Sequence, residues 1–451
     1  MEYPVWHFSG INTGLFIAIV AVLHVFVAQF AVGGGLYLVW MERKAHREKS
    51  PELLRWIEGH TRFFLLLTMV FGGLSGVGIW LTISMVNPGA TVMLIHNFVF
   101  IWAAEWVFFL LEVVSLLIYQ YSFPMVLDGR MDPRTHMRIG VVYAVSGYMS
   151  LVLINGVVAF MLTPGEGLQS GNLWDGFFNP TYFPSLVLRT GICLVLAGMF
   201  ALFTANRIAS PTIRRMAVRQ SGLWVAMPFL LLLAGSAWHF MALPPDRLAA
   251  IMRRTADIHP FFVAYGWILP AVFLSGILAF VLAERLRRPL SVVILCVGLI
   301  LVGSYEWVRE TGRRPWTAEG YMYSNGMTLS QETQANEEGI ASVSGWLWTL
   351  AAHESGKRPL AQAPAEGLSA GALIFSLQCA TCHGRGGPRI DIIPRIERLT
   401  RAGLDAQLRG SGKRLDYMPP FAGSDDDRNT LVDFLDSLRR QSKNTPSPEA
   451  P

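Results

Sequence analysis

The sequence predicts an all-α protein: a polytopic membrane helix bundle of about eight spans with both termini outside, followed by a small helical domain. Three observations carry this. Of 451 residues, 52% are hydrophobic and only 15% charged, which is not the balance of a soluble globular chain. Apolar runs of about 20 residues, long enough to cross a bilayer, recur through the first three quarters. The remainder turns polar and charged, with an amphipathic pattern of its own.

The runs fall at roughly 12–40, 63–86, 96–120, 139–163, 183–205, 221–242, 259–283 and 289–308. Their orientation follows from the bias of Lys and Arg toward the inner side. The 41–62 loop carries Arg43, Lys44, Arg47, Lys49, Arg55 and Arg62, and later alternate loops are likewise rich in arginine. The intervening 87–95 and 164–182 loops contain neither Lys nor Arg; only 243–258, with Arg247, Arg253 and Arg254, breaks the contrast. The N-terminus therefore lies outside, and eight spans return the chain there. The first run is too long for a cleavable signal peptide and has no small-residue cleavage pattern after it. The net charge of +5 reflects this topology and carries no nucleic-acid signal. No internal repeat is visible. Cys193 and Cys296, inside apolar runs, read as buried helix residues with no disulfide implied.

Past the last run, 317–366 reads as an external linker rich in Gly, Ser, Glu, Ala and Pro, with Trp346 and Trp348 expected to pack down. Residues 367–441 then form the small domain, and 442–451 a disordered tail. A helix-like run from Leu368 to Gln378 leads into Cys379-Ala380-Thr381-Cys382-His383, of the form C-x-x-C-H. This is the attachment sequence of one covalent haem c, with His383 as the first axial ligand. Met418, in Tyr417-Met418-Pro419-Pro420-Phe421, offers the second; a thioether raises the haem potential, which suits an electron carrier. A closing helix, Asp427 to Arg440, places Leu431, Val432, Phe434, Leu435 and Leu438 on one face. The alternatives are a CxxC zinc or redox site and a chance surface methionine. Haem is attached to CxxCH on the outer side in bacteria, in agreement with the charge bias. This places the chain in the bacterial inner membrane, in contact with the lipid bilayer and with the cytochrome c domain on the periplasmic side.

Ionisable residues inside spans are costly and point to function. His24, midway along the first span and followed by Gly33-Gly34-Gly35, is read either as a haem-iron ligand or as a histidine bonded to a neighbouring helix carbonyl. Glu105 and Glu112 lie seven residues apart in the third span and share a helix face. They suit a proton path or a haem or metal site, or are satisfied by Arg or Ser on adjacent spans. The last span ends Tyr305-Glu306-Trp307-Val308-Arg309-Glu310-Thr311-Gly312-Arg313-Arg314-Pro315-Trp316, where charges and aromatics also suit interfacial anchors. Arg189, in the fifth span, either does chemistry or snorkels outward.

Taken together, residues 1–316 resemble subunit I of the cytochrome bd terminal oxidases. His24 matches that family's haem-ligand histidine, and Glu105 and Glu112 its paired glutamates on the proton route. Glu310-Thr311-Gly312-Arg313-Arg314-Pro315-Trp316 is similar to the family's E-x-G-R-x-P-W signature. There the glutamate ligates a high-spin haem, the arginine contacts haem and the tryptophan lies beside the cluster. Asn155-Gly156 and Asn179-Pro180 also fall where the family has them. The resemblance implies one or two haems, b and/or d, in the membrane domain, and a subunit II-like membrane partner. Departures are as informative. The family's low-spin haem histidine falls here at Leu188 or Arg189, and the span from His259 to Ala283 has no methionine to complete that pair. His239 or His259 would have to substitute. The quinol-binding loop shrinks to about Leu243–Ile258, with Met252 where an acidic residue is expected in Arg247-Leu248-Ala249-Ala250-Ile251-Met252. A cytochrome c domain stands where a ninth span would be. The expected function is electron transfer from an external c-type donor, through haem c, to a high-spin haem pair that reduces dioxygen without using quinol. A non-catalytic electron-transfer subunit and nitric oxide reduction are the rival readings.

Overall fold

The computed structural model describes residues 12–252, 258–286, 288–343, 370–387 and 390–444. All eight expected spans are helices long and apolar enough to cross a membrane. They are α1 (Thr13–Arg47), α2 (Pro51–Val86), α3 (Pro88–Leu127), α4 (Pro133–Leu162), α5 (Tyr182–Ala205), α6 (Pro211–Met241), α7 (His259–Val281) and α8 (Arg288–Gly312), making the chain a multi-pass membrane protein. Several begin well before their apolar runs because polar caps start them. Ser50, Asp132 and Ser210 each accept a backbone N–H of the first turn, and each is followed by proline, the residue that loses least at the first helical position. Within α2 the ladder widens to a π turn over Leu67–Gly72, a local form often found at functional sites. In α6 the helix stops at Ala226 and restarts at Phe229, across Pro228, which has no N–H to donate.

The described chain forms two compact units: Ala21–Val77 with Ile95–Gly312, and Met1–Val20 with Gly78–Leu94 and Arg313–Pro451. In the first, Gly33-Gly34-Gly35 makes α1 a hub. A Cβ at Gly33 would strike the Cys193 carbonyl of α5, one at Gly34 the Phe64 ring of α2, and one at Gly35 the Tyr143 ring of α4. Three helices thus approach one backbone closely, and the core around them includes Phe30, Tyr37, Leu188, Ile192 and Val195. Cys193 is buried as expected, but Cys296 is exposed; an apolar run does not say which face of a helix a residue takes.

In the second unit, β1 (Trp316–Ala318) pairs antiparallel with β2 (Met322–Tyr323). Next come α9 (Leu329–Glu338), started by a Thr328/Gln331 capping box, and α10 (Ala370–Gln378), α11 (Ile392–Ile396), α12 (Arg401–Gly410) and α13 (Asp425–Asn444). Leu373, Phe375, Leu404, Leu431, Val432 and Leu435 form the core of this unit, and Met327, Ala335 and Ile340 join it. The first part of the expected linker therefore carries regular structure packed on the helices that follow. Trp346 and Trp348 lie outside the described residues, as does the tail beyond 444.

Candidate functional sites

α10 ends at Gln378, and the C-x-x-C-H segment leaves it as a tight turn: the N–H groups of Cys382 and His383 both donate to the Cys379 carbonyl, at 3.1 and 2.8 Å. His383 Nδ1 lies 3.1 Å from the carbonyl oxygen of Ile390. A carbonyl only accepts, so Nδ1 carries the hydrogen and Nε2 the lone pair that an iron ligand needs. Gln378 clamps the Met418 loop to this turn, its amide donating to Ala422 O at 2.6 Å and its oxygen accepting from Ala422 N at 3.0 Å. Burial, with Cys382 beside it, pushes the Cys379 thiol up to about 12, the reverse of the low value of a redox-active thiol. Among the described residues no group of three or more His, Cys, Asp or Glu could hold a metal ion. The donor set and its tautomer fit a covalent haem. At the start of α1, the N–H groups of Thr13 and Gly14 donate to the carbonyls of Ala380 and Thr381, at 3.3 and 2.9 Å.

Within the membrane helices, a cavity of about 190 Å³ brings together His24 and Gln29 of α1, Glu105 and Glu112 of α3, and Arg189 of α5. The π turn of α2 contributes Thr68, Met69 and Gly72 to its wall. His24 Nδ1 lies 3.2 Å from Ser75 Oγ, and that hydroxyl gives its own hydrogen to the Phe71 carbonyl at 2.6 Å. Ser75 therefore accepts from Nδ1–H, and His24, like His383, keeps a lone pair on Nε2. The bond to the Ser75 hydroxyl of α2 orients the ring. Ser150 of α4 donates to Glu105 Oε1 at 3.0 Å, and a Cβ on Gly147 would lie 3.2 Å from the Glu112 carboxylate. Both amide atoms of the Gln29 side chain and Nε of Arg189 are buried without a hydrogen-bond partner. Buried polar atoms are normally satisfied, so these suit a polar group lodged in the cavity. The histidine and the unpartnered N–H groups of Gln29 and Arg189 fit a haem carrying acidic side groups.

Arg189 does not snorkel. It is 5% exposed, and its Nη1 lies 2.8 Å from Glu306 Oε1. Arg309 Nε in turn donates to Glu306 Oε2 at 3.0 Å, and Arg309 also pairs with Glu310. Snorkelling is cheap only where a head group can reach water, whereas here a carboxylate on α8 supplies the charge instead. A guanidinium has no lone pair to give, so Arg189 fits no iron ligand. His239 of α6 is 4% exposed and lines a small cleft with Asn155, Thr181, Ser185, Arg189 and Arg309; His259 opens α7. Glu310 is not among the residues lining the large cavity and is held by Arg309. Arg313 Nη1 donates to the Thr317 carbonyl at 2.8 Å, turning the chain into β1, and Trp316 stacks on Tyr323 at 4.3 Å.

Gln29 escaped the sequence reading, and Glu306 was read there only as one of the charges at a span's end. Gln29 lies five residues beyond His24 in an otherwise apolar run, and Glu306 is a carboxylate one turn inside the span end. Both were visible as polar residues in apolar surroundings, but their partners were not.

Residues 366–435 match the family model for cytochrome c oxidase, cbb3-type, subunit III. The chain is similar to one in the structure of bd oxidase from Geobacillus thermodenitrificans, with a TM-score of 0.56 at 17% identity, over 69% of this chain and 91% of that one. No curated protein matches the sequence. The chain therefore joins a membrane helix bundle with the fold of a bd oxidase chain to a C-terminal domain of the cbb3-type cytochrome c kind.

Proposed function

We propose that this chain is a haem-containing respiratory membrane subunit in which electrons enter through a c-type haem and reach a high-spin haem site where dioxygen is reduced, with no direct use of quinol. The observation that carries this is the cavity that His24, its ring oriented by Ser75, shares with Glu105 and Glu112. Cys379, Cys382, His383 and Met418 hold the haem c. His24 and Glu310 would hold haem b and/or d in the membrane domain, Glu310 being oriented by Arg309. A haem bound there would supply one-electron chemistry. The protein's own part is to hold it and feed it protons. Gln29 and Arg189 offer buried donors to its acidic groups, Ser150 fixes the Glu105 carboxylate, and Glu105 and Glu112 hold and hand on protons. Arg313 and Trp316 shape the turn that follows Glu310. The cytochrome domain lies on the periplasmic side of the bacterial inner membrane and accepts electrons from an external c-type cytochrome. A subunit II-like membrane protein and lipid cover the many exposed apolar side chains of α2 and α3, such as Leu74, Val77, Trp106 and Leu110.

One observation favours a second reading. The Arg189–Glu306–Arg309 ion pairs occupy the place expected of the low-spin haem ligand, as in a scaffold that has given up oxygen chemistry and only relays electrons. A carbon monoxide difference spectrum of the dithionite-reduced protein with its native partners decides between them. A shift in a band not belonging to haem c is expected. Both haem types present with no shift would sink the oxidase reading and leave the relay.

A further inference from the structure

At the end of α1 opposite His24 stands a second buried cluster. Glu42 and His136 are each 0% exposed, and His136 Nδ1 lies 2.7 Å from Glu42 Oε1. His136 Nε2 faces the Tyr119 backbone carbonyl at 2.9 Å, and because a carbonyl only accepts, Nε2 must carry hydrogen. The short Nδ1–Oε1 contact then needs one more hydrogen, borne by either the imidazole or the carboxyl. The pair thus holds one proton shared between two bases, whichever way it is drawn. The Tyr119 hydroxyl donates to Glu42 Oε2 at 2.8 Å. His46, one turn further along α1 with its side chain 23% exposed, approaches Glu42 Oε1 at 3.3 Å. His46 belongs to the basic end of α1, beside Lys44 and Arg47.

The cluster and the cavity lie along one seam between α3 and α4. On α3, Glu105, Glu112 and Tyr119 follow one another at intervals of seven residues, two helical turns each, and so share a face. On α4, His136 meets Tyr119, Gly140 packs on the Tyr119 ring, Gly147 on Glu112, and Ser150 bonds Glu105. The cavity reaches along this seam as far as Leu116, three residues short of Tyr119, or about 4.5 Å of helix.

We propose that Glu42 and His136, with His46 at their mouth and Tyr119 as a positioning residue, form a proton-loading site that supplies Glu112 and Glu105 from the basic, inner side. His46 takes a proton from water, and the Glu42–His136 pair passes its shared proton into the seam as the replacement arrives. Each group returns to its starting state. The use of the protons rests on the oxygen-reduction reading above; the loading itself does not.

The test measures proton uptake with a pH-indicator dye when the purified complex is reduced, together with the reduced-minus-oxidised infrared difference spectrum. Glu42→Gln keeps the shape and the hydrogen bond from Tyr119 but cannot hold the proton. Uptake slowed on the order of 100-fold, loss of a hydrogen-isotope-sensitive carboxyl or imidazole band, and an unchanged carbon monoxide spectrum are expected. Wild-type uptake and an unaltered infrared spectrum would overturn the proposal. Should Glu42→Gln fail to assemble, His46→Gln, which removes the proton acceptor at the mouth of the pair, decides by the rate of uptake. A wild-type protein with no carbon monoxide shift but Glu42-dependent uptake on reduction would fail the oxidase reading alone. Oxygen reduction with uptake indifferent to Glu42 would fail the loading site alone.

Discussion

Replacing Arg189 by leucine removes one member of a four-charge group. Arg189 Nη1 lies 2.8 Å from Glu306 Oε1, with the two side chains 6% and 3% exposed. Arg309, whose side chain is 9% exposed, binds Glu306 Oε2 at 3.0 Å and also pairs with Glu310. Two guanidiniums and two carboxylates sum to zero, so the variant keeps a surplus negative charge in a dry site or forces Glu306 to take up a proton. Breaking a buried pair by deleting one partner costs about 3–5 kcal/mol, whereas exchanging both partners for apolar groups is often near neutral. Arg189→Leu should fall at the low end, about 3 kcal/mol, because Arg309 still shares Glu306. Glu306→Leu should fall at the high end, about 5 kcal/mol, because it leaves two guanidiniums facing one carboxylate. The double variant restores neutrality through Arg309 and Glu310 and should lose far less than the sum. The assay is reversible unfolding in micelles of rising denaturing-detergent fraction, followed by tryptophan fluorescence. Single losses that add in the double variant would refute the coupling, and with it the view that Arg189 was recruited to balance α8.

Met418→His should lower the midpoint potential of haem c in a redox titration, since a thioether is the ligand that raises it; an unchanged potential would remove Met418 from the iron. In the same domain, hydrogen bonds from Arg409 and then Arg428 hold the Asp405 carboxyl below its ordinary range. A depressed folded-state value means that its stabilisation is complete above the unfolded value, about 3.9, and is lost as pH falls through the lower folded one. Asp405→Asn should therefore lose stability at neutral pH and flatten the acid-side decline of a melting curve that reports on this domain. An acid limb as steep as in the wild type would show that Asp405 contributes nothing there.

Much of the site was legible because its signals are local. The C-x-x-C-H segment is contiguous, and its turn forms from its own backbone. Glu105 and Glu112 share a face through helical repeat alone, so their meeting in one cavity follows from spacing. Arg189 was misread for the converse reason. Its fate depended on Glu306, 117 residues away, and neither residue announces the other. The same holds for Glu42 and His136, 94 residues apart, whose polar character is unremarkable beside a basic loop. Residues 317–343 looked like linker because their composition is polar, yet Met327, Ala335 and Ile340 reach the core of the cytochrome domain.

What the sequence determined by itself was the number of spans, the charge bias of their loops, the haem-attachment segment and the helix faces on which Glu105 and Glu112 stand. Each depends on composition or spacing within about 20 residues, the length over which hydrophobic thickness and helical repeat act. Only the tertiary structure decided which nitrogen of His24 bonds Ser75, what neutralises Arg189, and that Glu42 meets His136 and Tyr119. Those outcomes turn on hydrogen bonds and ion pairs between different helices, whose energies vary steeply over an ångström and leave no periodic trace in the chain.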